Sequence, residues 1–117
     1  MRTVNFGSGN VNIHCQEITQ HIYAKEFDYR DMVQDCIGGL DFMETGSAAS
    51  LPVAALHRAL WAMVKTANPQ NTPNFVNWSK AQAKVDILEK NEDGVMVAVE
   101  ILEELVDCTF PSAGIKL

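Results

Sequence analysis

His14, Cys15, His21 and Cys36 are of the side-chain types that hold zinc. Zinc ligands come as two close pairs, each about two to four residues apart, and this set does not make two such pairs. Cys36 falls on an apolar helical stripe, where a free thiol packs as a small hydrophobe. Asp28, Asp31 and Asp35 could be a carboxylate cluster for acid–base chemistry or Mg²⁺. Two of them lie in the first turn of a predicted helix, where negative charge suits the macrodipole, so capping is the better account. No Gly-x-Ser-x-Gly elbow is present, and the three histidines share no motif with a nucleophile. Gly7-Ser8-Gly9 lacks the Lys-Ser/Thr ending of a phosphate loop and runs into an alternating strand, so it reads as a turn. The chain is therefore expected not to be an enzyme and to carry no metal or cofactor.

The elements that would position these residues begin with a β-hairpin. Val4 and Phe6, then Val11 and Ile13, alternate with polar residues on either side of Gly7 to Gly9. A lone hairpin is marginal in water, so it must lie on something. Residues 15–26 predict a short helix with Ile18 and Ile22 four apart. FDYRDM then predicts a helix start, with Asp28 as N-cap, Asp31 at the capping-box position, and Phe27 and Met32 as a hydrophobic staple. Met32, Val33, Cys36, Ile37 and Leu40 form its stripe, and Gly38-Gly39 predict a kink or stop, each glycine costing roughly 1 kcal/mol.

Ser50 predicts an N-cap with Pro52 in the first turn of a helix to residue 67, its stripe being Val53, Leu56, Leu60, Met63 and Val64. Thr72 and Pro73 predict a restart as N-cap and N1, running to about residue 89 through Phe75, Trp78 and Val85. The last segment, VMVAVEILEELV, opens with β-branched residues that would suit a strand. Val95, Val99, Leu102 and Val106 at helical spacing favour a helix of about four turns. The expected fold is mainly α, with a small N-terminal β-hairpin packed on a compact bundle of four to five helices. Residues 1–110 would form one domain and 111–117 a flexible tail.

LWAMVKTANPQNTPNFVNW, residues 60–78, places Trp61, Phe75 and Trp78 around a polar loop. A loop this short makes the flanking helices neighbours, so Leu60, Met63 and Val64 would face Phe75 and Trp78 in a pinned corner. Partial exposure of the same corner as a protein-binding surface is the second reading. On that reading Leu60, Trp61, Met63, Phe75 and Trp78 are the anchors, with Trp61 foremost because it stands off the centre of the stripe.

With 117 residues, 47% of them hydrophobic, the chain has material for one modest core. Fifteen acids against nine bases give a net charge of −6, with no basic run to track phosphates. Nucleic acid and anionic membranes are unexpected partners. The first ten residues lack the layout of a signal peptide, no window approaches the roughly 18 apolar residues of a membrane span, and three scattered cysteines do not suit a disulfide framework. A cytoplasmic location is expected.

The LWAMVKTAN helix, its short polar loop and the NFVNW helix start resemble the corresponding segment of phage tail assembly chaperones. YAKEFDYRDMVQD, residues 23–35, resembles the region of those proteins that reads Tyr-x-x-Glu-Phe-Gly-x-Asp. The resemblance covers roughly residues 1–85 and departs at Asp28, where relatives often have Gly, and at Ser79, where Leu is more usual. It implies a non-enzymatic role: binding the long, helical tape measure protein and keeping it soluble during tail assembly in the bacterial cytoplasm, outside the mature virion. It also implies a longer form, made by programmed frameshifting, that recruits the tail tube protein. Homo-oligomers are compatible with it. Met32, Met43, Met63 and Met96 would suit either core filling or adaptable binding surfaces. The rival from another class is a small acidic helical regulatory or adaptor domain, antitoxin-like or host-takeover, that binds one protein partner.

Overall fold

The computed structural model describes residues 2–6, 9–47, 51–81, 87, 88, 90 and 94–113, with backbone alone at 5, 6, 9, 10 and 108–113. Strands β1 (Arg2–Phe6) and β2 (Gly9–Ile13) pair antiparallel with Val4 opposite Val11 and Arg2 opposite Ile13. The period of two puts Arg2, Val4, Val11 and Ile13 on the inner face. Thr3 and Asn12 face out and hydrogen-bond to each other at 2.8 Å. The inner face lies on helices, as a marginal two-stranded sheet requires.

Helix α1 (Glu17–Glu26) buries Thr19 and Tyr23, not the expected Ile18, which is 51% exposed. Thr19 is drawn inward by its hydroxyl, which accepts from the Gln16 amide and lies 2.7 Å from the Thr66 hydroxyl. The next helix does not start at Asp28. Asp28 and Tyr29 have φ of 61° and 63°, and the Arg30 amide closes a β-turn onto the Phe27 carbonyl. Asp31 is the N-cap instead, accepting from the Gln34 amide at 3.1 Å. The left-handed turn at Asp28 and Tyr29 ends α1 before a new helix can begin.

That helix is split into α2 (Met32–Asp35) and α3 (Ile37–Thr45) at Cys36, slightly ahead of the predicted glycine kink. Gly39 has a different use. A Cβ there would run into the Leu102 side chain, so glycine lets α3 lie against the last helix. Gly46, at φ 76°, supplies the left-handed C-cap of α3.

Helix α4 (Val53–Ala67) is the centre of the molecule, touching β2, α1, α2 and the two helices that follow it. A single stripe is therefore the wrong description. Ala55, Leu56, Ala59, Leu60, Trp61, Ala62, Met63 and Val64 are all buried, whereas Val53 is exposed at the first turn. The expected cap at Ser50 lies outside the described residues, and Pro52 immediately precedes the helix.

Helix α5 is described over Phe75–Ala81. Its cap is Asn74, whose side chain accepts from the Asn77 amide, not Thr72, whose hydroxyl turns back to the Asn68 carbonyl. The predicted continuation to residue 89 is not found at residues 87 and 88, which form a turn, and Val85 lies outside the described residues. Lys90 and Met96 form an antiparallel bridge ahead of α6 (Val97–Ala113). The inner face of α6 is Val97, Ala98, Ile101, Leu102 and Leu105; of the predicted Val95, Val99, Leu102 and Val106 series only Leu102 is fully buried. Residues 114–117 are outside the described part of the tail.

The whole is mainly helical, with the hairpin packed on the bundle as expected. Among the described residues there are six helices against the four to five expected, the break at Cys36 adding one.

Candidate partner-binding site

The two stretches singled out in the sequence meet in one aromatic cluster. Phe27, just past α1, packs edge-on to Trp61 of α4 with centroids 5.6 Å apart and to Phe75 of α5 at 5.0 Å. Tyr23 lies 4.9 Å behind Phe27, and His57 is flanked by Phe75 at 5.6 Å and Trp78 at 5.4 Å. Such edge-to-face pairs add about 0.5–1.5 kcal/mol each beyond the burial of their area.

Of the five anchors read from the sequence, Leu60, Met63, Trp61 and Trp78 are buried and Phe75 is half-buried. Trp61, expected to stand off the stripe, is only 2% exposed. The reason is the polar loop, which folds back over it. Trp61 Nε1 donates to the Pro73 carbonyl at 2.9 Å, and Lys65 Nζ donates to the Thr72 carbonyl at 2.8 Å. The pinned corner is thus the arrangement found, and a binding surface at these residues would have to be uncovered.

Behind the aromatics runs a polar network that the sequence did not announce. Tyr23 Oη donates to Asp35 Oδ2 at 2.7 Å and accepts from Arg58 Nε at 3.2 Å. Arg30 grips both oxygens of Asp35 at 2.8 and 3.0 Å. These donors hold the Asp35 carboxyl below its ordinary value, the Arg30 guanidinium first, with burial opposing. Burial pushes the Tyr23 phenol up to about 12. Asp31 caps α2 and Asp35 is held in this network. The i, i+5 spacing of Arg30 and Asp35 was the only available signal.

Burial lowers the His57 imidazole pKa, and its Nε2 is buried with no hydrogen-bond partner. Burial likewise pushes the Cys36 thiol up to about 12, which suits packing and not reactivity. Cys15 and Cys36 are buried, His21 is exposed, and among the described residues no three His, Cys, Asp or Glu side chains come together to hold a metal. His14 lies 3.7 Å from Glu104.

Glu104 is the second feature sequence reasoning missed. It is a buried acid on α6 that accepts from the Cys15 amide at 3.0 Å and from Arg2 Nε at 3.3 Å. Arg2 also reaches Glu100 at 3.2 Å and Asp107 at 3.0 Å, which clamps the hairpin to α6. Partial burial works against the Arg2 charge, yet the Glu100 and Glu104 carboxylates outweigh it and raise its pKa.

A cleft of about 340 Å³ lies beside the corner, lined by Asn12, Asn68, Asn71, Val64 and Trp78 among others. A shallower depression, lined by Phe27, Asp28, Arg30 and Arg58, lies beside the exposed Tyr29. Neither gathers convergent polar groups around a deep apolar pocket of the kind that holds a cofactor. Among the described residues no helix is long and apolar enough to cross a membrane. No family model matches the chain, and neither a curated protein nor a solved structure is significantly similar to it.

Proposed function

We propose that the chain is a non-enzymatic phage tail assembly chaperone that binds and solubilises the tape measure protein. The observation that supports this reading best is the aromatic cluster. Residues 23–35 and 60–78, the two segments that carry the resemblance, are far apart in sequence, and Phe27 of one packs on Trp61 and Phe75 of the other. A shared pattern in both segments would then be the trace of one structural unit.

A tape measure chain presents long apolar helical stripes. Its chaperone needs an apolar helix-binding surface within an acidic, soluble exterior. The net charge of −6 and a helical body with Phe27 and Phe75 half-buried beside an exposed Tyr29 suit that task. The regulatory or adaptor alternative has no observation of its own in the fold.

The reading is tested by expressing the gene with its downstream DNA from an N-terminal tag, together with the tape measure gene. The expected result is a soluble tape measure protein that co-purifies with this chain, and a minor, longer product in another reading frame by mass spectrometry. Tape measure protein that is insoluble with or without this chain would overturn the proposal.

A further inference from the structure

We infer that Arg58 is the centre of a docking site for an acidic side chain of a partner protein: its open guanidinium edge takes the carboxylate, and Tyr29 and Phe27 cover an apolar residue beside that acid. The inference does not depend on the chaperone reading.

Arg58 is held as a fork with one edge left open. Its Nε donates to the Tyr23 hydroxyl at 3.2 Å, and its guanidinium lies over the Phe27 ring, 5.8 Å from the centroid. The Asp35 carboxylate does not close it. Asp35 accepts from Tyr23 Oη and from two nitrogens of Arg30, while Arg58 Nη2 stands 3.9 Å away, beyond hydrogen-bond range. Among the described residues neither terminal nitrogen of Arg58 has an acceptor, and neither is buried, although the side chain is only 26% exposed. A guanidinium fixed through Nε and against a ring has given up its rotamer freedom in advance, and its two outer nitrogens match the two oxygens of a carboxylate.

The surroundings select the ligand. Arg58 lines the shallow depression with Phe27, Asp28 and Arg30. Two of the chain's three arginines meet here over one carboxylate, and among the described residues Asp28 pairs with neither of them. A single negative charge is thus matched, whereas a doubly charged phosphate would meet more repulsion from Asp28, Asp35 and a chain of net charge −6. Tyr29 points to a protein as the source of that charge. It has φ of 63° and is 88% exposed, so the fold holds a bulky ring in a left-handed turn without packing it. Glycine would make the same turn without strain, and strain of this kind concentrates at ligand clamps. Exposed tyrosine beside arginine is also the composition of interface hot spots.

The test titrates the ¹⁵N-labelled full chain with the blocked dipeptide acetyl-Leu-Glu-amide and follows amides 27–31 and 57–59 and the Arg58 Nε–H signal. Saturable shifts are expected there, with acetyl-Leu-Gln-amide binding at least about tenfold more weakly. Arg58→Lys keeps the charge without the fork and should weaken binding about tenfold. Tyr29→Gly relieves the positive φ, so it should leave the thermal midpoint unchanged or raised and still weaken binding several-fold. No saturable shift, or equal binding of the two dipeptides, overturns the inference. So does native affinity in both variants, each with native circular dichroism. Tighter binding of acetyl-Leu-phosphoserine-amide would reject the carboxylate in favour of a phosphorylated partner.

Discussion

The indole of Trp61 donates to the carbonyl of Pro73 at 2.9 Å, so the largest side chain of the central helix is fastened to the loop that leaves it. One hydrogen bond decides the status of the aromatic corner. It converts a tryptophan that sequence spacing puts beside the core into a core residue with a satisfied polar end.

Trp61→Ala should therefore lower the thermal midpoint by roughly 10–20 °C, the consequence of losing about 3–5 kcal/mol of packing. Val76→Ala, on the exposed face of α5, is the control and should shift it by no more than about 2 °C. A Trp61→Ala midpoint within about 3 °C of the native value, followed by circular dichroism, would contradict the burial described here.

Asp35 gives stability a dependence on acid. Its carboxyl is held below the ordinary value chiefly by Arg30, so its contribution is complete above the unfolded value near 4 and is lost as pH falls through the depressed folded value. Asp35→Asn should cost about 1–2 kcal/mol at neutral pH, the exposed Arg30 side adding the lesser part because solvent screens it. Chemical denaturation of both chains between about pH 6 and 2 should show the difference closing towards the acid end.

His57 acts in a window nearer neutrality. Burial lowers its folded value, so the unfolded chain takes up the proton first. The stability it contributes is full above about pH 6.5 and declines as pH falls through the folded value. His57→Phe, which keeps a ring between Phe75 and Trp78, should flatten the slope of stability against pH between about 7.5 and 5. An unchanged slope would show that the titrating group lies elsewhere.

Gly39 and Leu102 form a mutually exclusive pair of volumes. Gly39→Ala gains helix propensity of about 1 kcal/mol but drives its methyl into Leu102, for a net loss of about 1 kcal/mol. In a Leu102→Ala background the same substitution should be neutral or stabilising. A double-mutant cycle with no coupling would mean that α3 and α6 are not in contact at this point.

The hairpin, the order of helices and the existence of the aromatic corner were legible because they rest on local signals: alternation, turn residues and helical spacing. Single-face reasoning failed where an element is enclosed. Helix α4 hides Trp61 and three alanines because neighbours surround it, and no period in its own sequence reports how many neighbours there are. Two caps were misplaced for a related reason. Asp28 and Thr72 are good capping residues that the backbone uses otherwise, one in a left-handed turn and one bonded back to Asn68. Glu104 could not be read at all, since its partners Arg2 and Cys15 lie at the opposite end of the chain.

The clamp between Arg2 and Glu104 has a temporal consequence. Its members are separated by 102 positions, and at a typical rate of synthesis the ribosome needs about 5–20 s to pass from one to the other. Throughout that interval β1, which carries Val4, has no helix α6 beneath it, and the Cys15 amide lacks its carboxylate. The first elements made are thus among the last to be locked. A stall before residue 104 leaves a nascent chain whose hairpin can reach α4 but has no clamp to hold β1 down.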